Sequence, residues 1–168
     1  MVLLDTNICI YAMKNRYPAL SNRLLTIHPD QLAVSSITVG ELEYGAAKSK
    51  WGEQTRLRLE LFLSAFQIIP FDRKDAVVFG RLRAELAAQG SPIGPYDLMI
   101  AAQGLCRGYP VVTHNTREFN RVPGLLVEDW TQENELHTLL QEGLDDMQAD
   151  RSRPAEEAMA DPRNRLDL

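Results

Sequence analysis

The stretch Val2-Leu3-Leu4-Asp5-Thr6-Asn7-Ile8-Cys9-Ile10-Tyr11-Ala12-Met13 changes its periodicity at the acid. Val2 to Leu4 is an apolar run too brief for a helix, whereas Ile8 to Met13 has helical spacing. A strand that turns into a helix at Asp5 is the expected opening, and the same alternation continues down the chain. Leu20, Leu24, Leu25 and Ile27 give a second helical face that Pro29 stops, and residues 32–36 read as a second strand. Thr38 then opens a helix containing Glu41, Leu42, Ala46 and Ala47. Leu57, Leu61, Phe62 and Phe66 mark another helix, and a strand follows at 67–71. A long helix from about Arg73 to Gln89 places Ala76, Phe79, Gly80, Leu82, Arg83 and Leu86 on or near its inner face, until Gly90-Ser91-Pro92-Ile93-Gly94-Pro95 breaks it. Tyr96 to Cys106 is a further apolar helix with Asp97 in its first turn. Residues 110–113 form a strand, Thr116 to Asn120 a short helix, and 125–127 a last strand. This order predicts an α/β fold, with βαβ units building a central, mostly parallel sheet of four to five strands flanked by helices.

At 168 residues the chain is long enough to bury roughly two thirds of its unfolded surface, so it needs no covalent staples. Cys9 and Cys106 have no paired spacing that suggests a disulfide frame or a zinc site. With no basic leader before Leu3 and no run of about 20 apolar residues, a cytoplasmic protein with no membrane partner is expected. The net charge of −5 is unevenly spread: residues 133–168 carry ten acids and four arginines, a net of −6, which leaves +1 on residues 1–132. The expected division is a domain over 1–131, closing at Glu128-Asp129-Trp130-Thr131, and an acidic C-terminal extension over 132–168. If metal neutralises the four acids described next, the rest of the domain is basic enough to tolerate a polyanion.

Asp5, Glu41 and Glu118 follow the first, second and fourth expected strands, and Asp97 opens the helix before the fourth. Singly, each has an ordinary explanation. Thr38 with Glu41, and Asn115 with Glu118, fit the spacing of a helix cap and its acid, and Asp97 suits a helix dipole. Together they form a pattern that capping does not explain: three belong to the carboxyl edge of a parallel sheet, and Asp97 joins them only if its loop returns there. Like charges a few ångströms apart raise one another's pKa, and a hard divalent ion removes that cost. Mg²⁺ or Mn²⁺ prefers oxygen ligands and keeps several waters, and it supports phosphodiester hydrolysis. Thr6, Asn7, Thr113 and Asn115 are neutral polar groups placed to support the acids, or to serve as plain caps.

Four segments carry a family resemblance: Leu3 to Asn7, Glu41 to Gly45, Pro95 to Ala102, and Thr113 to Phe119. Over about residues 1–131 the chain resembles PIN-domain ribonucleases, and in particular the VapC toxins of bacterial toxin-antitoxin pairs. The resemblance implies that Asp5, Glu41 and Asp97 form the core of a metal site, with Asp5 and Asp97 as ligands and Thr113 and Asn115 supporting them. Many members carry an aspartate where this chain has Glu118, whose longer arm favours contact through water. The resemblance further implies a PIN-like fold and a Mg²⁺-dependent endoribonuclease acting on structured RNA such as tRNA. It implies a homodimer and an antitoxin partner.

The extension is the departure from that family. Leu136, Leu139, Leu140, Leu144 and Met147 recur at helical spacing, predicting an amphipathic helix over about 133–147. Residues 145–154 resemble the toxin-binding end of a VapB-type antitoxin, which implies an internal inhibitor that presents Arg151 or Arg153 to the acidic pocket. The composition from Gln148 onward equally suits a disordered tail. Two competing functions stay open on the residues alone: a structure-specific DNA nuclease using the same pocket, and a binding module whose acids are only helix caps.

Overall fold

The computed structural model describes residues 1–50 and 52–132. The expected extension over 132–168, with its helix and with Arg151 and Arg153, therefore lies outside the described residues apart from Gln132. The described body is one compact unit, Met1–Gln132.

Five short strands carry the fold: β1 (Val2–Leu4), β2 (Leu32–Ser35), β3 (Gln67–Ile69), β4 (Val111–Val112) and β5 (Val127–Glu128). They lie in the order β3-β2-β1-β4-β5, and every pairing is parallel. The helices are α1 (Thr6–Met13), α2 (Pro18–Thr26), α3 (Ser36–Ala47), α4 (Gly52–Leu63), α5 (Arg73–Ala88), α6 (Pro95–Arg107) and α7 (Thr116–Phe119), with one 3₁₀ turn at Pro29–Gln31. Side chains of a strand alternate between faces, and the two buried clusters show this directly. Leu3, Ala33 and Val111 face α5, α6 and Phe119 of α7. Leu4, Leu32, Val34 and Val112 face the other cluster, with Ile8, Leu20, Leu42 and Leu59 from α1 to α4. A sheet covered on both sides needs continuous apolar strands, which explains the ValLeuLeu and ValVal runs.

β1 is the point where the order reverses: the chain leaves it for β2 on one side, and β4 and β5 fill the other. In open α/β sheets the crevice outside the strand ends at such a point is where ligands bind. Asp5 directly follows β1 and Thr113 directly follows β4, so both sit at that crevice. Gly104 lets α6 lie close on β4, since a Cβ there would meet Val111 Cγ2 at 2.6 Å and the Tyr109 carbonyl oxygen at 3.1 Å.

Several local expectations are corrected. The helix containing Glu41 begins at Ser36, capped by the Ser35 hydroxyl, which accepts from the Ile37 N–H. On α4 the inward residue is Leu59, with Phe62 partly buried, while Leu57 and Leu61 are 67% and 76% exposed. On α5 the buried positions are Asp75, Leu82 and Leu86, and Ala76, Gly80 and Arg83 face water. Pattern alone cannot orient a helix that has apolar residues on two faces. No helix among the described residues is long and apolar enough to cross a membrane.

Candidate active site

Asp5 ends β1 and caps α1. Its Oδ1 accepts from the Thr6 N–H at 2.7 Å, while Oδ2 accepts from the buried Thr113 hydroxyl at 2.8 Å. Thr113 is fixed in turn, because its oxygen accepts from the Asn115 N–H at 2.9 Å. Both Asp5 oxygens are thus aimed, one by the first residue of α1 and the other by the residue that follows β4. Only 2% of the residue reaches solvent.

Asp97 lies in the first turn of α6, after Pro95 at its first position. Asn115 stands at the cap position of α7 but makes no capping bond with its side chain. Its amide instead donates to Asp97 Oδ2 at 3.1 Å. Glu41 is in the second turn of α3, beyond the reach of a capping box, and one of its oxygens accepts from the Thr6 hydroxyl. Thr38 lies behind this contact, its hydroxyl oxygen 3.3 Å from that of Thr6. The capping accounts of Glu41 and Asn115 therefore fail, and each residue turns toward the crevice. Glu118 differs from the other acids in having a cation: Arg121 donates to it at 3.1 Å and also to the Pro92 carbonyl at 3.0 Å. Asn7 is exposed at the second position of α1.

The electrostatics follow from burial without compensation. Burial pushes the Asp5 carboxyl up to about 6, against the Thr113 and Thr6 hydrogen bonds, and Asp97 and Glu41 add to the rise. Asp97 is raised first by its own burial and then by Glu41 and Glu118, with the Asn115 amide opposing. The four acids therefore share one field. Among the described residues no Lys, Arg or His forms an ion pair with Asp5, Glu41 or Asp97.

These acids lack a cation among the described residues, and hard oxygen donors are what they offer one. Among the described residues no three acid, imidazole or thiol groups converge tightly enough to enclose an ion. The donor set fits an ion held by one or two carboxylates and otherwise by water, as Mg²⁺ and Mn²⁺ commonly are.

Residues 2–125 match the family described as PIN domain. The chain belongs to the PIN-domain family. Within it, this PIN domain is 45% identical over 129 residues to the tRNA(fMet)-specific endonuclease VapC of Shigella flexneri, covering 77% of this chain and 97% of that protein. It is 42% identical over 129 residues to ribonuclease VapC2 of Rickettsia felis, covering 76% and 96%. Among solved structures, the DNA-bound VapBC of Salmonella typhimurium matches with a TM-score of 0.73 at 43% identity, over 77% of this chain and 99% of that one. These relatives place the chain among the VapC ribonucleases.

A second group of residues lies beside this PIN-domain site. His114 lies between Thr113 and Asn115, and its Nδ1 is 3.1 Å from Asp129 Oδ2 and 2.9 Å from the Thr131 hydroxyl. Asp129 and Thr131 gave no signal because nothing local shows that the segment after β5 returns beside β4. The His114 ring also packs against Tyr11 and Tyr17, at 5.9 and 5.8 Å between centroids.

Proposed function

We propose that this protein is a Mg²⁺-dependent endoribonuclease toxin that hydrolyses phosphodiester bonds in structured, tRNA-like RNA. The observation that carries the reading is buried Asp5 beside half-buried Asp97, both held by hydrogen bonds and lacking an internal cation among the described residues. Asp5 and Asp97 would hold the ion directly and Glu41 would act directly or through water. Bound there, the ion supplies Lewis acidity, polarising phosphoryl oxygens and acidifying water at neutral pH. Thr6 and Thr113 fix Asp5, Asn115 fixes Asp97, and Thr6 also fixes Glu41, so the donors need little rearrangement when substrate arrives. In the hydrolysis a water oxygen bonds to phosphorus and the bond to the 3′ oxygen breaks, leaving a 3′ hydroxyl and a 5′ phosphate.

The relatives' names support RNA as substrate, one of them naming tRNA(fMet). The VapBC complex supports an antitoxin partner. Placement in the cytoplasm, where such RNA is found, and a homodimeric state belong to the same proposal, as does restraint by the chain's own extension. Two experiments test the core of it. Titration of Mg²⁺ into the metal-free protein should show binding that weakens in Asp5→Asn and Asp97→Asn, and tRNA cleavage should disappear in the same variants. Undiminished cleavage in both variants would sink the reading, and preferential cleavage of DNA would replace RNA as the substrate.

A further inference from the structure

The group around His114 is built around one nitrogen. The Thr131 hydroxyl donates to Asp129 Oδ1 at 2.7 Å, so its proton is committed there and its oxygen is left to accept. Asp129 is held below the usual carboxylate range. Partial burial works against this, but the Thr131 hydroxyl and N–H and the His114 ring outweigh it. Both neighbours of His114 Nδ1 are therefore acceptors, and Nδ1 must carry the ring proton. That assignment leaves Nε2 of the neutral ring as a bare acceptor, and among the described residues it has no partner. Such pinning of one nitrogen so as to define the other is the way proteins specify a histidine's chemistry.

The ring is also fixed in orientation. Tyr11 and Tyr17 back it, themselves edge to face at 5.1 Å, and Arg16 lies over both tyrosine rings at 5.0 and 5.4 Å. The His114 side chain is 41% exposed. Its chain neighbours, Thr113 and Asn115, are the residues that hold Asp5 and Asp97, so the backbone that carries His114 forms part of the rim of the acid crevice. A substrate strand passing that rim presents phosphate oxygens, base edges and, if it is RNA, a 2′ hydroxyl. Phosphate is acceptor only and gains nothing from a bare nitrogen lone pair. The 2′ hydroxyl is a donor, present at every residue of RNA and absent from DNA.

We infer that His114, pinned by Asp129 and Thr131, is a ribose-recognition residue whose Nε2 accepts a hydrogen bond from the 2′ hydroxyl of a nucleotide beside the cleaved bond. Arg16 supplies positive charge on the same rim for a neighbouring phosphate. The inference rests on the ribonuclease reading and extends it to sugar selectivity. It differs from a packing role because it couples one protein atom to one substrate atom.

The test uses the full chain at pH 8 and an RNA oligonucleotide that the protein cleaves, with a series in which single nucleotides are 2′-deoxy. Cleavage is measured with wild type, and binding by fluorescence anisotropy in the non-cleaving Asp97→Asn background. One 2′-deoxy position should weaken cleavage and binding by about five- to tenfold, the scale of one neutral hydrogen bond. His114→Ala should lose a similar factor on unmodified RNA and become indifferent to that position. Asp129→Asn, which frees the ring to change tautomer, should also lose the selectivity while keeping the histidine. Equal sensitivity to every 2′-deoxy position in wild type and His114→Ala would overturn the ribose site and leave the nuclease intact. A protein that neither binds nor cleaves any RNA would overturn the ribonuclease reading and this inference with it.

Discussion

Asp5 and Asp75 are both almost wholly removed from water near helix starts, and the fold surrounds them in opposite ways. Asp75, with 0% exposure in the first turn of α5, accepts from Arg107 at 2.9 Å and from the Asp72 N–H at 2.9 Å. Arg107 itself reaches Asp72 and the Pro70 carbonyl, both at 3.2 Å, and Gln103 donates to Pro70 at 2.9 Å. This cluster fastens α6 to the β3–α5 corner, and Arg107 supplies the buried Asp75 with a cation from the protein itself. Asp5 has only neutral donors around it, and its charged neighbours are other acids. A buried acid kept for structure carries its cation with it, since an unpaired buried charge is expensive. A buried acid without one marks a place where the cation comes from solution.

Removing the unmatched charge should therefore cost activity and spare the fold. Asp5→Asn and Asp97→Asn are expected to lower RNA cleavage by at least about 100-fold, the scale of losing a principal electrostatic contributor. In the same assay Asp75→Asn should keep most of its activity at temperatures where it stays folded. The second region should respond in stability instead. Arg107→Met leaves Asp75 buried without its cation and should cost about 3 kcal/mol, the lower end of the range for breaking a buried pair because Arg107 is partly exposed. Urea denaturation measures it. A loss under about 1 kcal/mol would show that Asp75 does not need its partner and would dissolve the contrast.

The pH dependence of the metal-free protein sharpens the same comparison. The Asp5 carboxyl rises from 3.8 to about 6 on folding, so between those values the folded state holds more protons than the unfolded one. Its contribution to stability is therefore best below pH 4 and falls as the pH rises through 6. At about 1.4 kcal/mol per pH unit the fall amounts to about 2–3 kcal/mol. Asp97 acts in the same direction. Other carboxylates oppose the trend in the whole protein, so the informative quantity is wild type minus Asp5→Asn, measured in chelator from pH 4.5 to 7.5. The variant should be the more stable at pH 7 and lose that advantage near pH 4.5. Saturating Mg²⁺ should shrink the difference in wild type's favour, because bound metal stabilises the ionised form.

What the sequence made legible follows from which signals are local. The strand-to-helix change at Asp5 and the ValVal run before Thr113 depend on periodicity within a few residues, and the five-stranded parallel sheet agrees with them. The placing of Asp5, Glu41 and Glu118 followed because parallel strands share one carboxyl edge, whereas Asp97 needed the loop before α6 to return there. The directions of α4 and α5 were not legible, since Leu57 and Leu61 compete with Leu59 and Phe62 for the interior until neighbouring elements decide. The partners of the acids were also hidden. Asn115 reaching Asp97, Arg107 reaching Asp75 and Asp129 holding His114 are contacts between segments 15 or more residues apart. Local cap spacing suggested nearer partners for Asn115 and Glu41, and the tertiary contacts replaced them.

Glu118 stands between the two kinds of acid, and it offers the finest test. It belongs to the field that raises Asp97, yet Arg121 pairs with it and ties α7 to the carbonyl of Pro92 in the segment leading into α6. If its own cation leaves an acid little charge to offer an ion, Glu118 would act chiefly by positioning the turn before Asp97. Glu118→Gln keeps an acceptor for Arg121 and removes the charge. It should change cleavage by less than about fivefold and stability by less than about 1 kcal/mol, the usual worth of a partly exposed pair. Glu118→Ala, which releases Arg121, should be the worse of the two. If Glu118→Gln instead matches Asp97→Asn in lost cleavage and in weakened Mg²⁺ binding, Glu118 is a ligand. An internal cation would then no longer distinguish structural acids from functional ones in this fold.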